Sequence, residues 1–189
     1  MVISNEDRIR VTEILANAFK DNKSVNYIVK QDRKRLSRIK LLMEYAYFMC
    51  NTYGRVILSE DKNACALVLF PDKKSVTLKG IYWDVKLVFK VIGLSNLPKV
   101  LKREGLIKKQ HPQVPFYYLW FIGVDPLAAG RGLGSVLLQE LTNEAEVMGL
   151  PFYLETSTVE NIPWYQKFGL HVYHTQDIGY TLYFLKYLT

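Results

Sequence analysis

Tyr117-Tyr118-Leu119-Trp120-Phe121-Ile122-Gly123-Val124 runs into Asp125-Pro126-Leu127-Ala128-Ala129 and then into Gly130-Arg131-Gly132-Leu133-Gly134-Ser135. The first eight residues form an apolar run of the length of a buried strand. From Leu133 onward, Leu137, Leu141 and Ala145 recur every fourth position, which is helix spacing, and Gly149 and Pro151 stop that helix. The order is strand, glycine-rich turn, helix.

That order has a chemical use. The first N–H groups of a helix lack partners inside it, and the macrodipole places partial positive charge there. A glycine-rich turn lets phosphates approach that backbone closely. The competing reading is a tight turn that needs glycine for geometry alone. A P-loop fits poorly, because Ser135 and Val136 follow Gly134 where Lys and then Ser or Thr would stand. A dinucleotide turn fits poorly: the third glycine comes one position early and the glycines do not follow the strand directly. Glu155, at the end of the next apolar run, stands where a ribose-binding acid would sit, so that reading stays open.

Gly130 to Gly134 resembles motif A of the GNAT superfamily of acyl-CoA N-acyltransferases: Gln or Arg, two residues, Gly, one residue, then Gly or Ala. Gly132 and Gly134 match the two small positions, Arg131 lies inside the motif, and Ala129 stands where Gln or Arg is usual. Downstream, Phe152-Tyr153-Leu154-Glu155-Thr156 reads as a strand. Asn161-Ile162-Pro163-Trp164-Tyr165-Gln166-Lys167-Phe168-Gly169-Leu170 resembles the family's motif B, with Leu170 in place of a final Phe. The resemblance covers Tyr117 to His174.

The rest of the chain sets bounds. A length of 189 residues argues one domain, 1–189, with a substantial core. The composition, 49% hydrophobic and 23% charged, is that of a soluble globular protein, and no apolar run is long enough to span a membrane. Met1 to Asp7 shows no basic-then-apolar targeting pattern, and Cys50 and Cys65 lie in apolar runs, so reduced thiols in a cytoplasmic protein are expected. The formal net charge of +7 favours an anionic partner, and coenzyme A is one. No dense basic stripe or reader motif points to nucleic acid.

In chain order, helices are expected over Asn5 to Lys20 and Asp32 to Thr52, with Asp21-Asn22-Lys23-Ser24 as a turn and Gly54 as a C-cap. Val56 to Leu58 and Ala64 to Phe70 read as a β-hairpin. A helical insert at 75–110 follows. In it Ile81, Val85, Val88, Phe89 and Ile92 are helix-spaced, with Asp84, Lys86 and Lys90 opposite. A core-facing stripe explains that spacing. The alternative is a basic amphipathic helix on a membrane surface, and no membrane partner is expected. Leu170 to Thr175 and Ile178 to Leu185 add strands. The fold class is α/β, a central mixed, mostly antiparallel sheet with helices on both faces.

The resemblance implies transfer of an acetyl group from acetyl-CoA to a primary amine, by direct attack without an acyl-enzyme. The wording around the motifs looks like the small-molecule branch, and the insert would shape the acceptor pocket. The N–H groups of Gly130, Arg131, Gly132, Leu133, Gly134 and Ser135 would hold the pyrophosphate. The backbone of Ile122, Gly123 and Val124 would pair with the pantetheine arm, the Val124 N–H facing the thioester oxygen. Gly123 itself suggests a bulge or a close backbone approach, or a glycine merely tolerated near a strand end. Asn161 would contact the cofactor or cap the motif B helix. Tyr165 stands at the general-acid position; otherwise it packs beside Trp164 and Phe168. Some family members place a base Glu early in the motif A strand, where this chain has Tyr118. Glu155 is the substitute candidate, or it orients the motif B loop; His111 and His174 are weaker ones. No metal spacing is present, and the chain is a monomer or a homodimer. A CoA-binding protein that has lost turnover is the alternative function.

Overall fold

A computed structural model describes residues 4–187. Met1 to Ile3, which open the stretch read above for a targeting signal, lie outside the described residues.

Three helices precede the sheet. Ser4 starts α1 (Asn5–Ala18) with a capping box, its hydroxyl accepting from the Asp7 N–H while the Asp7 carboxylate accepts from the Ser4 N–H. Asn22 caps α2 (Lys23–Ile28) through its side chain. The stretch expected as a turn is therefore the entrance to a short helix. The third helix, α3 (Arg35–Tyr53), buries Ile39, Met43, Ala46 and Cys50 at helical spacing. Gly54 follows it at φ −167°, outside the left-handed C-cap region. A Cβ there would lie 2.0 Å from the Val68 carbonyl oxygen, so glycine is required by the neighbouring strand and not by a cap.

The strands are β1 (Gly54–Leu58), β2 (Ala64–Leu69), β3 (Tyr117–Val124), β4 (Phe152–Thr156), β5 (His171–Asp177) and β6 (Thr181–Tyr187). They form one six-stranded sheet in the order β1-β2-β3-β4-β6-β5. Only β3 and β4 are parallel; the other neighbours are antiparallel. This mixed sheet is not the doubly wound parallel sheet of a dinucleotide fold. On one face α1 and α3 pack Val11, Ile14, Leu15, Ile39 and Met43 onto Cys65, Leu67 and Phe121. On the other, α6 (Leu133–Val147) and α7 (Ile162–Gln166) set Leu137, Leu138, Leu141 and Tyr165 against Val68, Leu119, Phe152 and Leu154. A fully buried Leu such as Leu138 contributes about 2 kcal/mol. The insert comprises α4 (Leu78–Leu87), a π turn at Val88–Ile92 and α5 (Leu97–Gln110).

Two irregularities in β3 position the site. Leu67 faces Phe121 and Val68 faces Leu119, which leaves Trp120 as an unpaired extra residue, a β-bulge. The alternation of side chains reverses across it: Phe121 packs with α1 and α3, while Ile122 and Val124 pack toward α6. On its other edge β3 meets β4 only at Tyr117 with Phe152 and at Tyr118 with Tyr153. Beyond Tyr118 the two strands splay.

Candidate active site

Backbone polarity along the splay follows from the ladder. The Asp125 N–H donates to the Asn63 carbonyl at 2.7 Å on the β2 side. In an antiparallel pair such bonds alternate, so Gly123 turns its polar groups toward Cys65, and Ile122 and Val124 turn theirs toward the gap. Gly123 therefore drops out of the set of backbone groups available to a ligand. Its lack of a side chain serves α1 instead, since a Cβ would meet Leu15 Cδ2 at 3.0 Å and Ala18 Cβ at 3.4 Å. The bulge expected near Gly123 lies at Trp120.

The gap leads to the glycine turn. Gly130 and Gly132 hold φ of +79° and +77°, the left-handed region that glycine enters without strain. Among the described residues, no protein acceptor is bonded to the N–H groups of Gly130, Arg131, Gly132, Leu133 and Gly134. Ser135 differs from expectation: its N–H donates to the Gly132 carbonyl at 2.9 Å, and its hydroxyl accepts from Trp164 Nε1 at 2.9 Å. What it can still offer is its hydroxyl hydrogen. A recess of about 310 Å³ lies over this turn, bounded by Val124, Ala128 to Ser135 and Trp164. The Asp125 side chain fixes the turn's base by accepting from the Leu127 N–H and pairing with Arg10 at 2.7 Å, and these two contacts hold its carboxyl below the usual range.

A larger cavity of about 760 Å³ is lined from both faces of the sheet, so it crosses the sheet at the splay. Toward α6 and α7 its wall includes Gly134, Asn161, Trp164 and Tyr165. The Tyr165 hydroxyl has no hydrogen-bond partner among the described residues, and burial pushes its phenol well above the ordinary value. Asn161 occupies the N-cap position of α7 but its side chain makes no capping bond, so the capping reading is not realised.

On the other side stand Tyr45, His111, Tyr118, Trp120 and Glu155. Glu155 Oε1 lies 2.7 Å from His111 Nε2, and Oε2 accepts from the Tyr118 hydroxyl at 2.5 Å. The carboxylate is only 6% exposed and His111 15%. Burial first, and the Glu155 charge second, push the Tyr118 phenol up. His111 comes from the end of α5, Tyr118 from β3 before the bulge and Glu155 from β4, so three elements meet here. Sequence reasoning named Glu155 and ranked His111 lower; it did not place them in contact. His174 sits on β5 with its ring against Phe184, and it is not part of the cavity wall. Reasoning from sequence also missed Arg103, which is buried on α5 and donates to Tyr180 Oη at 3.0 Å and Ser24 Oγ at 2.6 Å. Tyr45 donates to Asp84 on α4. No group of three potential metal ligands occurs among the described residues.

Residues 90–170 match the sequence profile of the Acetyltransferase (GNAT) family. An uncharacterized N-acetyltransferase of Schizosaccharomyces pombe is 35% identical over 65 residues, which span 32% of this chain and 26% of that protein. The chain thus covers about a quarter of the length of that relative. Among solved structures, one described as histone acetyltransferase HPA2 and related acetyltransferase, from Corynebacterium glutamicum, superposes with a TM-score of 0.70 at 18% identity, covering 98% of this chain and 92% of that one. Arylalkylamine N-acetyltransferase 2 from Aedes aegypti gives 0.65 at 15% identity over 100% and 97% of the two chains. The C-terminal condensation domain of Ebony, solved with beta-alanyl-dopamine, gives 0.67 at 8% identity over 96% and 93%. At these identities the likeness is one of fold. The fold is that of the GNAT acetyltransferases, and the stretch 90–170 matches that family's profile.

Proposed function

We propose that the chain is an N-acetyltransferase that moves the acetyl group of acetyl-CoA to a small primary amine by direct attack. The observation that carries this reading is a track of two unpartnered sets of backbone N–H groups, one on the splayed edge of β3 and one at the turn Gly130–Gly134, with the bonded residues 125–129 between them. Such a track suits a thioester arm that ends in a diphosphate. When bound, acetyl-CoA supplies the activated acetyl group.

The residues divide the work. The turn amides and the α6 dipole hold the diphosphate. Ile122 and Val124 offer backbone groups to the arm, and the Val124 N–H faces charge that grows on the thioester oxygen. Tyr165 donates a hydrogen bond to the departing sulfur. Its raised pKa lies above that of a thiol, so the phenol stabilises the sulfur's charge without giving its proton up outright.

The attacking amine must lose a proton, and the contacts of Glu155 support a different base from the one expected. Both Glu155 oxygens are already engaged. A carboxylate only accepts, so His111 Nε2 carries the hydrogen of the 2.7 Å bond, and in the neutral imidazole Nδ1 then keeps its lone pair. His111 is then the base, with Glu155 and Tyr118 orienting it. The wall on this side is aromatic, with Tyr45, Trp120 and Phe121, which suits an amine with a flat apolar body. The arylalkylamine and beta-alanyl-dopamine named for two proteins of this fold are molecules of that kind.

Thiol release from acetyl-CoA, measured across a panel of arylalkylamines, polyamines and amino sugars, tests the proposal. Amine-dependent release that Tyr165→Phe slows supports it. CoA binding with no release on any amine would show a protein that keeps the cofactor groove without turnover.

A further inference from the structure

Of the stripe read from sequence as core-facing, Ile92 is buried and Val88 half-buried, but Ile81, Val85 and Phe89 are turned outward, 48%, 49% and 59% exposed. Leu78 at 88% and Tyr82 at 61% extend this outer row. At 100° per residue Leu78, Ile81, Tyr82 and Val85 fall within an arc of about 100° on one side of α4, and Phe89 follows them in the π turn. The inward side carries Trp83, stacked on Phe48, and Asp84, bonded to Tyr45. None of the five belongs to a buried cluster or to the side chains packed against one, and none lines the active-site cavity. An exposed, continuous apolar face of this kind marks a binding surface.

Charge identifies the occupant. Lys79, Lys86 and Lys90 run along one flank of the row, and Lys73 and Lys74 lie just before the helix. Between Lys73 and Gln110 stand ten Lys and Arg residues against two acids, Asp84 and Glu104, a net of +8 in a chain whose formal net charge is +7. Within the insert itself, 75–110, eight Lys and Arg residues stand against the same two acids, a net of +6, so most of the chain's positive excess sits there. A second copy of the chain would bring two such segments together and repel. Nucleic acid would meet apolar side chains at the centre of the patch. A bilayer surface with anionic headgroups satisfies both features, because apolar side chains enter the acyl boundary while lysines reach the headgroups.

We propose that the outer face of α4 docks the protein on an anionic lipid surface, with Leu78, Ile81, Tyr82, Val85 and Phe89 inserted and Lys79 and Lys90 on headgroups. The proposal does not depend on the catalytic reading.

Vesicle flotation of the full chain tests it, with phosphatidylcholine alone and with phosphatidylcholine containing a quarter phosphatidylserine. The expected result is binding to the anionic vesicles that weakens as salt rises, and at least about tenfold weaker binding to the neutral ones. Val85→Ser/Phe89→Ser should reduce anionic binding by about tenfold or more, and so should Lys79→Glu/Lys90→Glu, with unchanged thermal midpoints because these side chains are exposed. Equal binding to both vesicle types overturns the proposal, as does full binding by either variant. Absence of vesicle binding, together with a dimer in sedimentation velocity that Val85→Ser/Phe89→Ser dissolves, would assign the face to a second copy instead.

Discussion

Replacing Gly134 by Asp separates folding from cofactor binding, because it should move the two in opposite directions. Gly134 is the second residue of α6, after the Gly132 cap. A Cβ there would sit 3.4 Å from Val124 Cγ2 and 3.6 Å from Trp164 Cζ2, which is close to ordinary contact, and its φ is not in the left-handed region. Losing a glycine from a helix gains a few tenths of a kcal/mol, and a carboxylate in the first turn gains about 0.3–1 kcal/mol more. The melting temperature should hold or rise by roughly 2–4 °C. The same carboxylate would stand where the diphosphate is proposed to lie. At about 5 Å and an effective dielectric near 20, each like-charge pair costs about 3 kcal/mol, so after screening a loss of affinity of at least ~100-fold is expected.

Calorimetric titration with CoA, paired with thermal melts, measures both quantities. Val136→Asp is the control: it adds the same charge to the same helix end, but Val136 is 62% exposed and lies outside the recess over the turn. That variant should bind CoA within about threefold of the parent, since an exposed charge is largely screened. A folded Gly134→Asp protein that also binds within threefold would refute the proposed cradle, whatever the activity.

Tyr165→Phe should lower kcat by about tenfold to a hundredfold with CoA affinity unchanged, read by steady-state thiol release and titration. Because burial pushes the Tyr165 phenol up, turnover should show no alkaline loss from that group between pH 7 and about 10; a loss that disappears in Tyr165→Phe would contradict the donor role. His111→Gln should cost kcat about 100-fold or more and exceed the loss in Glu155→Gln; the reverse order would return the base role to Glu155. Gly54→Ala places a methyl 2.0 Å from the Val68 carbonyl and should destabilise by about 3 kcal/mol, lowering the melting temperature by roughly 10 °C. Asp32 is held at about 2, chiefly by its hydrogen bond to Arg38, so its contribution to stability is complete above the ordinary carboxylate value of 3.8 and is lost as pH falls toward 2. Arg38→Gln should flatten that acid-side loss in urea unfolding at pH 5 and pH 2.5.

What could be read from the sequence was what local pattern controls. The strand at Tyr117–Val124, its glycine turn and α6 are adjacent in the chain, and each carries its own period, so the expected boundaries match those observed within a residue or two. The direction of α4 could not be read, because both of its sides carry large apolar residues: Trp83 and Leu87 inward, Ile81, Val85 and Phe89 outward. Spacing gives an angle between residues, not which side meets the core. The contact of His111 with Glu155 joins residues 44 apart and depends on where α5 ends over the sheet. The helix at Lys23–Ile28 has six residues, too few for a periodic signal. The glycines show a further limit: Gly54, read as a C-cap, yields to a strand; Gly123, read as a bulge or a close approach, yields to a helix; and only Gly132, in the glycine turn, answers to backbone conformation.

The bulge at Trp120 ties these parts together. Without it, regular alternation would put Tyr118, Ile122 and Val124 on one face of β3. With it, Tyr118 reaches Glu155 on the side of the insert, while Ile122 and Val124 turn their side chains toward α6 and leave their polar groups at the splay. One strand then serves the proposed acceptor side with its first half and the proposed thioester track with its second. A one-residue change in register would exchange the two halves' faces. It would place Phe121 among the α6 contacts and bring a bulky side chain into the space beside Leu15 and Ala18 that only Gly123 now fits. The packing of α1 therefore holds the bulge in register, and through it the relation between the proposed base and the proposed track.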